Sequence, residues 1–326
     1  DRHQAPVNRK RVVGTILRAL AGLAVLVIVL TRVPLASLAE RLGNIRATDA
    51  AALVLIAIVQ MELGALRWYR LFARVGEKVS PWPITRDVLV GMLFNTFLPT
   101  SFGGDIIRAV RAGRRVKASY HAWSTSLFER LVGMLSQAII GAIGALLALG
   151  SALTLGQKGA IVLVILAFVL AMFFAAAPLR ILVRIMEKRL PATFIENVRG
   201  VVADLEGPLA TPGARLETLG WSFLQFALTI GFSIYGAHAL GADGHAVALI
   251  VGVPAVGVLA MAPISLGGHG LREGLFVIVL GMLGVEKDVA LGIAVLALAY
   301  NITGALAGGV VAMIEPTPPV KTAEAA

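Results

Sequence analysis

The chain has 326 residues, of which 58% are hydrophobic and only 15% charged, with a mean hydropathy of +0.85. A soluble domain of this length needs far more charge to cover its surface, so a water-soluble enzyme or binding module is disfavoured from the outset. The net charge of +10 would suggest nucleic acid in a soluble protein, but here the basic residues stand beside apolar runs. They read as orientation signals and contacts to anionic lipid, with no nucleic-acid partner. Cysteine is absent, which removes disulfides, thiolate metal sites and cysteine-linked lipid anchors.

In chain order, Arg9-Lys10-Arg11 precede the first apolar run, Val12–Thr31, which is too long for a signal-peptide core and reads as a retained helix. Ala50–Leu66 follows, then a basic stretch with Arg67, Arg70, Arg74, Lys78 and Arg86. The next apolar stretch, Ile84–Leu98, is too short to cross and return, and a second basic block (Arg108, Arg111, Arg114, Arg115, Lys117) follows it. Val132–Gly150 and Gly159–Pro178 come next, then a mixed segment over residues 180–212 that predicts an amphipathic helix on the cytoplasmic leaflet. Leu219–Leu240, Ala246–Ile264 and Val289–Ile314 complete the series, and residues 316–326 form a Pro-rich tail expected to be disordered. Most of these runs approach or exceed the ~20 residues that cross a bilayer core, and none alternates as a barrel strand would.

Placing the basic blocks in the cytoplasm leaves only Arg32, Arg41, Arg46, Lys158 and Lys287 outside. Trp68, Trp82, Trp123 and Trp221 then all fall near cytoplasmic borders. Both termini are expected in the cytoplasm of a bacterial-type inner membrane. The fold class is all-α, a polytopic helical membrane protein in one domain over residues 1–315. It comprises about six spanning helices plus two re-entrant, broken-helix hairpins arranged as inverted repeats. The hairpins are expected over residues 84–110, dipping from inside, and 246–284, dipping from outside.

The two expected breaks are alike in sequence. Leu98-Pro99-Thr100-Ser101-Phe102-Gly103-Gly104-Asp105-Ile106-Ile107-Arg108 aligns without gaps to Ala262-Pro263-Ile264-Ser265-Leu266-Gly267-Gly268-His269-Gly270-Leu271-Arg272. Both read Pro-x-Ser-apolar-Gly-Gly-x-x-apolar-Arg. Proline ends a helix and paired glycines permit tight turns, and such irregular backbone survives in a bilayer only where protein or a watery cavity surrounds it. Two breaks entering from opposite faces are the signature of an inverted-repeat transporter. A helix is expected to restart at Asp105 and another near Gly270 or Leu271, presenting free N–H groups to phosphate or carboxylate. Arg108 and Arg272 would add fixed positive charge there, and Asp105 shares a helix face with Arg108. The plainer reading makes Asp105 an N-cap, Arg108 the start of the basic block and the glycines a packing device.

At these residues the sequence resembles the lysylphosphatidylglycerol synthase transmembrane family. The resemblance runs from the first helix to Ile314 and rests on Asn95, Pro99, Gly103-Gly104-Asp105, Arg108, Glu129-Arg130, Pro263, Gly267-Gly268, Gly270 and Arg272-Glu273. It implies a lipid-translocating membrane domain. An acidic residue expected shortly after Glu129-Arg130 is missing, with Gly133 nearest, and no soluble aminoacyl-transferase domain follows. Synthase activity is therefore not carried over.

Other polar residues have plainer readings beside functional ones. Glu129 and Arg130 are adjacent, so each needs its own partner, and snorkelling at the interface is the alternative to a role in a groove. Glu62 is expected to pair with Arg67. Asn301 reads as a bridge between helices, and Gly304 and Gly308 as small-residue packing. His269 could couple proton movement to transport. No nucleotide-binding loop, metal-ligand pair or nucleophile motif is found, so no cofactor and no enzyme activity are expected. The leading expectation is a flippase moving a lipid with an anionic or zwitterionic headgroup. Its candidate binding residues are Asn95, Pro99, Ser101, Gly103, Gly104, Asp105, Arg108, Glu129, Arg130, Pro263, Ser265, Gly267, Gly268, His269, Arg272 and Glu273. The alternatives are an intramembrane enzyme acting on lipid headgroups, and an accessory subunit presenting lipid to a transferase partner.

Overall fold

Helices end where the sequence supplies stops and begin where it supplies caps. A computed structural model describes residues 35–97, 103–260 and 270–315. The expected first helix over residues 12–31, the tail 316–326 and the tips of both expected breaks lie outside the described residues. In chain order the helices are α1 (Leu35–Gly43), α2 (Ala47–Arg74), α3 (Pro81–Phe97), α4 (Gly103–Gly113), α5 (Tyr120–Leu149) and α6 (Leu155–Phe173). They continue as α7 (Ala176–Met186), α8 (Ala192–Glu206), α9 (Pro212–Ala239), α10 (Ala246–Leu259), α11 (Leu271–Met282) and α12 (Lys287–Ile314). Among the described residues every α or β element is a helix, with one 3-10 turn at Pro208–Ala210.

Local chemistry explains several boundaries. Thr154 accepts the Gln157 N–H while the Gln157 side chain accepts the Thr154 N–H, a reciprocal cap that starts α6. Thr211 followed by Pro212 starts α9 in the same spirit. Pro191 splits the expected single amphipathic helix into α7 and α8, because proline cannot continue the first. Arg180 with Glu206, and Arg199 with Glu187, tie the two pieces together.

Four described helices, α2, α5, α6 and α12, are long and apolar enough to cross a membrane. The chain is a polytopic helical membrane protein. Helix α9 matches α2 in length, at 28 residues, but carries Ser222, Gln225, Thr229 and Ser233 within it. Some of these polar groups face α2: Gln60 donates to Thr229 Oγ1 at 2.7 Å and Arg67 to Ser222 Oγ at 3.0 Å. Nearer the ends of the same pair, Arg70 meets Glu217 and Tyr235 donates to Asp49. The order of these contacts shows that α2 and α9 run antiparallel.

The short helices form two packed pairs. In the first, Arg111 of α4 meets Asp87 of α3, and Gly104 lies against Gly91 and Asn95, so α3 and α4 are antiparallel. In the second, Gly252 of α10 lies against Leu280 of α11. A 17-residue α3 spans ~25 Å against ~42 Å for α2, so the pair reaches only part way along its neighbours. The first pair starts and ends beside the C-terminus of α12, where Arg86 and Arg115 approach Glu315. The second starts and ends at the other extremity, where Arg41 of α1 joins the Leu240 carbonyl after α9 to Glu286 and Asp288 before and within α12.

The packing is reciprocal. Helix α3 lies on α12, the helix that follows the second pair, and α10 lies on α5, the helix that follows the first. Extending the ungapped alignment of the two repeats pairs Gly144 with Gly308 and Gln137 with Asn301. Gly308 abuts the Leu89 carbonyl and Gly304 the Met92 side chain, whereas Gly144 abuts Ile250 and Gly141 abuts Pro254. Small residues at equivalent places thus admit each short pair against its long partner. A methyl group at Gly308 would overlap backbone, so Gly308→Ala is expected to destabilise by about 1–3 kcal/mol through overpacking. Gly231→Ala in α9 meets open space and is expected to be neutral or slightly stabilising. Thermal unfolding of the two variants in detergent checks the contrast.

Candidate functional site

At the first break, α4 begins at Gly103, two residues before the expected Asp105. Its start is built against α3: Gly104 donates its N–H to Asn95 Oδ1 at 2.7 Å, and the glycine lies against the Gly91 carbonyl. Any side chain at Gly104 would collide with both. Asn95 therefore satisfies one of the free N–H groups expected at this helix start. Asp105 and Arg108, one turn apart, are joined at 3.0 Å as their spacing requires.

From there a chain of charges runs through three helices, α2, α4 and α5. Arg108 meets Glu129 of α5 at 2.7 Å, and Glu129 also accepts from Arg67 of α2 at 2.6 Å. Arg130 reaches back to Asp105. Arg108 further donates to Ser126 and lies over the Trp68 ring, 4.5 Å from its centroid. Trp68 is held by its own N–H on Thr125. Glu129 is only 3% exposed, which rules out the interfacial snorkelling reading for that side chain. Three guanidiniums share two carboxylates here, so the cluster carries one net positive charge while each charge has a partner. Arg67 takes Glu129, not the expected Glu62, whose carboxylate accepts from Thr85 at 3.4 Å. Gly133, where an acid was expected, faces the Arg67 guanidinium.

At the second break, α11 begins at Leu271 with Gly270 as its cap, as expected. Gly270 has φ of 80°, a left-handed conformation that favours glycine. Glu273 is buried and accepts the Gly270 N–H at 2.6 Å, so its carboxylate closes the start of its own helix. Arg272 lines a cavity of about 310 Å³, and among the described residues it forms no hydrogen bond or ion pair. The two arginines of the repeat are thus unlike: Arg108 makes salt bridges to two carboxylates, whereas Arg272 feels the charge of neighbouring Glu273 without a direct ion pair among the described residues.

Each break opens on its own cavity. Arg272 and the polar side chains Gln137, Ser233 and Thr229 line the one just described. Asn95, Gly104, Asp105, Arg108, Arg67 and Glu129 line another of about 240 Å³. Gln60, Tyr300 and Asn301 line both, so the two cavities share a wall. Pro99, Ser101, Pro263, Ser265, Gly267, Gly268 and His269 lie outside the described residues. The structure brings Asn95, Gly103, Gly104, Asp105, Arg108, Glu129 and Arg130 into one neighbourhood, and sets Arg272 across the shared wall. Asn301 donates to the Ala297 carbonyl of its own helix and does not form the expected bridge between helices through that group. Sequence reasoning passed over Gln137, Gln225 and Tyr300. Their signal was present, since each is a polar group inside a largely apolar run.

Removing one member of a buried charge chain leaves the others uncompensated. Glu129→Gln is expected to cost about 3–5 kcal/mol, because Arg67 loses its carboxylate partner and Arg108 one of its two. A double-mutant cycle with Arg67→Gln should show coupling of about 0.5–3 kcal/mol in detergent unfolding. Strict additivity would mean the two side chains do not interact.

A search among curated proteins and another among solved structures each returned no significant match. The model of the lysylphosphatidylglycerol synthase TM region matches residues 15–308, nearly the whole chain, with its two Gly-Gly segments and the Glu129-Arg130 pair inside the match. The chain belongs to the lysylphosphatidylglycerol synthase TM region family.

Proposed function

We propose that the chain moves a lipid with an anionic or zwitterionic headgroup between the leaflets of a bacterial-type cytoplasmic membrane and releases it chemically unchanged. The observation that carries this reading is the shared wall. Two cavities, one at each helix break, meet at Gln60, Tyr300 and Asn301. A headgroup crossing the bilayer core loses its water, and a polar path substitutes fixed dipoles and charge for that water. Arg272, which lines the cavity with neighbouring Glu273 as its nearby carboxylate, supplies attraction for a phosphate. The Arg108 cluster, already balanced to one net charge, offers a polar surface without a deep anion trap.

In this reading the α3–α4 and α10–α11 pairs are re-entrant hairpins that enter from opposite faces, and the lipid chains stay outside in the bilayer. The end carrying Arg70, Arg74, Arg86, Arg111 and Arg115 faces the cytoplasm. The family match supports a lipid-related role, and the reciprocal packing supports alternating exposure of a site held near the middle. The lipid class is a glycerophospholipid or an isoprenoid or hopanoid type with a comparable headgroup.

Two measurements test the proposal. In proteoliposomes holding fluorescent phospholipid, dithionite should bleach the inner-leaflet pool faster than in protein-free vesicles, and recovered lipid should be unchanged by mass spectrometry. Arg272→Gln should slow that exchange at least about tenfold, the value of a lost charge-assisted hydrogen bond, with Arg272→Lys intermediate. Exchange no faster than in empty vesicles across several lipid classes would sink the reading. Orientation is checked separately. The sequence has no cysteine, so Asp243→Cys and Glu187→Cys each provide a single thiol, and an impermeant maleimide should label them from opposite sides of the membrane.

A further inference from the structure

Outside both polar cavities, α5, α6 and α10 enclose a groove of about 320 Å³ whose walls are almost wholly apolar. Along α5 it is floored by Ala138, Gly141, Ala142 and Ala145, and its outer edge is α6 at Ala160 and Val164. Most of α6 is uncovered by protein, so this edge opens sideways to lipid. The sole polar side chain lining the groove is Gln137, which also lines the Arg272 cavity, as does Pro254. Groove and cavity therefore meet at these two residues. Gln137 donates to the Pro254 carbonyl at 3.0 Å, lying flat over Gly257, where any side chain would displace it. The contact is a seam of one hydrogen bond between α5 and α10. Proline at this position lacks the N–H that would bond the Ile250 carbonyl, which loosens α10 beside the seam.

We infer that this groove seats an acyl chain of an anionic glycerophospholipid while its phosphate lies by Arg272, with Gln137 marking where chain and headgroup part. The inference rests on the transport reading for the headgroup, and adds where the tail goes. The walls favour this occupant: small residues at successive turns of α5 make a smooth trough that suits an unbranched chain over a methyl-branched isoprenoid. Adjacency to the Arg272 cavity, across the single Gln137–Pro254 seam, separates the groove from ordinary lipid-facing surface.

The test uses phosphatidylglycerol bearing a diazirine in one acyl chain, photolysed in vesicles with the full chain. Label is expected in the peptides around Ala142–Ala145 and Ala160–Val164. It should be competed by unlabelled phosphatidylglycerol and not by an isoprenyl phosphate. In Ala160→Trp, a change on the exposed edge that leaves helix packing intact, label should fall about tenfold, as for roughly two methylenes excluded from an apolar seat. Label spread evenly over outward positions such as Leu163 and Leu306, without competition, would overturn the inference. So would preferential competition by isoprenyl phosphate. Headgroup exchange in the same vesicles separates the two ideas. Competed label without any exchange defeats the transport reading and leaves the groove as a lipid seat. Normal exchange in Ala160→Trp defeats the groove as the path of the tail.

Discussion

A backbone that stops being helical inside a hydrocarbon layer has no water to satisfy its N–H and C=O groups. In the re-entrant reading proposed above, the packing of α3–α4 and α10–α11 answers that constraint. Each short helical pair is pressed against a long helix through glycine: Gly304 and Gly308 receive α3, and Gly141 and Gly144 receive α10. The helix starts beyond the breaks are closed by protein, by the Asn95 amide oxygen at Gly104 and by the Glu273 carboxylate at Gly270. With those groups bound, the remaining polar surface at each break is free to face a cavity.

Charge is then distributed unevenly over a nearly symmetric frame. The first break is surrounded by Arg67, Arg108, Arg130, Asp105 and Glu129, drawn from α2, α4 and α5. Such a chain is costly to desolvate and is held by mutual attraction, so it adds rigidity and specificity of arrangement more than net stability. The second break has Arg272 in a polar cavity, with its neighbouring carboxylate turned to the backbone. In the transport we propose, a lipid phosphate meets a fully salt-bridged arginine at one break and a less fully paired one at the other. On that proposal, the inequality gives the headgroup a preferred resting place.

Much of this was legible in the residues, and the limits have physical causes. Apolar runs located the long helices because length and hydropathy are local properties. Helix α2 extends beyond the apolar run at Leu66 to Arg74, since Trp68, Leu71 and Phe72 continue a buried face at helical spacing. The helix starts at Gly103 and Leu271 were legible because glycine acts on its own backbone, and Asp105 with Arg108 because they are one turn apart. The partner of Arg67 was misjudged: Glu62 is five residues away, outside the i+3 and i+4 positions that face one another on a helix. Its true acceptor, Glu129, is supplied by another helix, and no local pattern encodes that meeting. Gln137 and Tyr300 were overlooked for the same reason. A single polar residue in an apolar run announces burial but not what it will touch.

The crosswise bracing of the two short pairs has a mechanical corollary. Because α3 leans on the helix that follows α11, and α10 on the helix that follows α4, neither pair can tilt without shifting the support under its twin. In the transport we propose, a frame of this kind would work as a see-saw. One side would descend as the other rises, so that both are not unsealed in the same stroke and ions do not leak through.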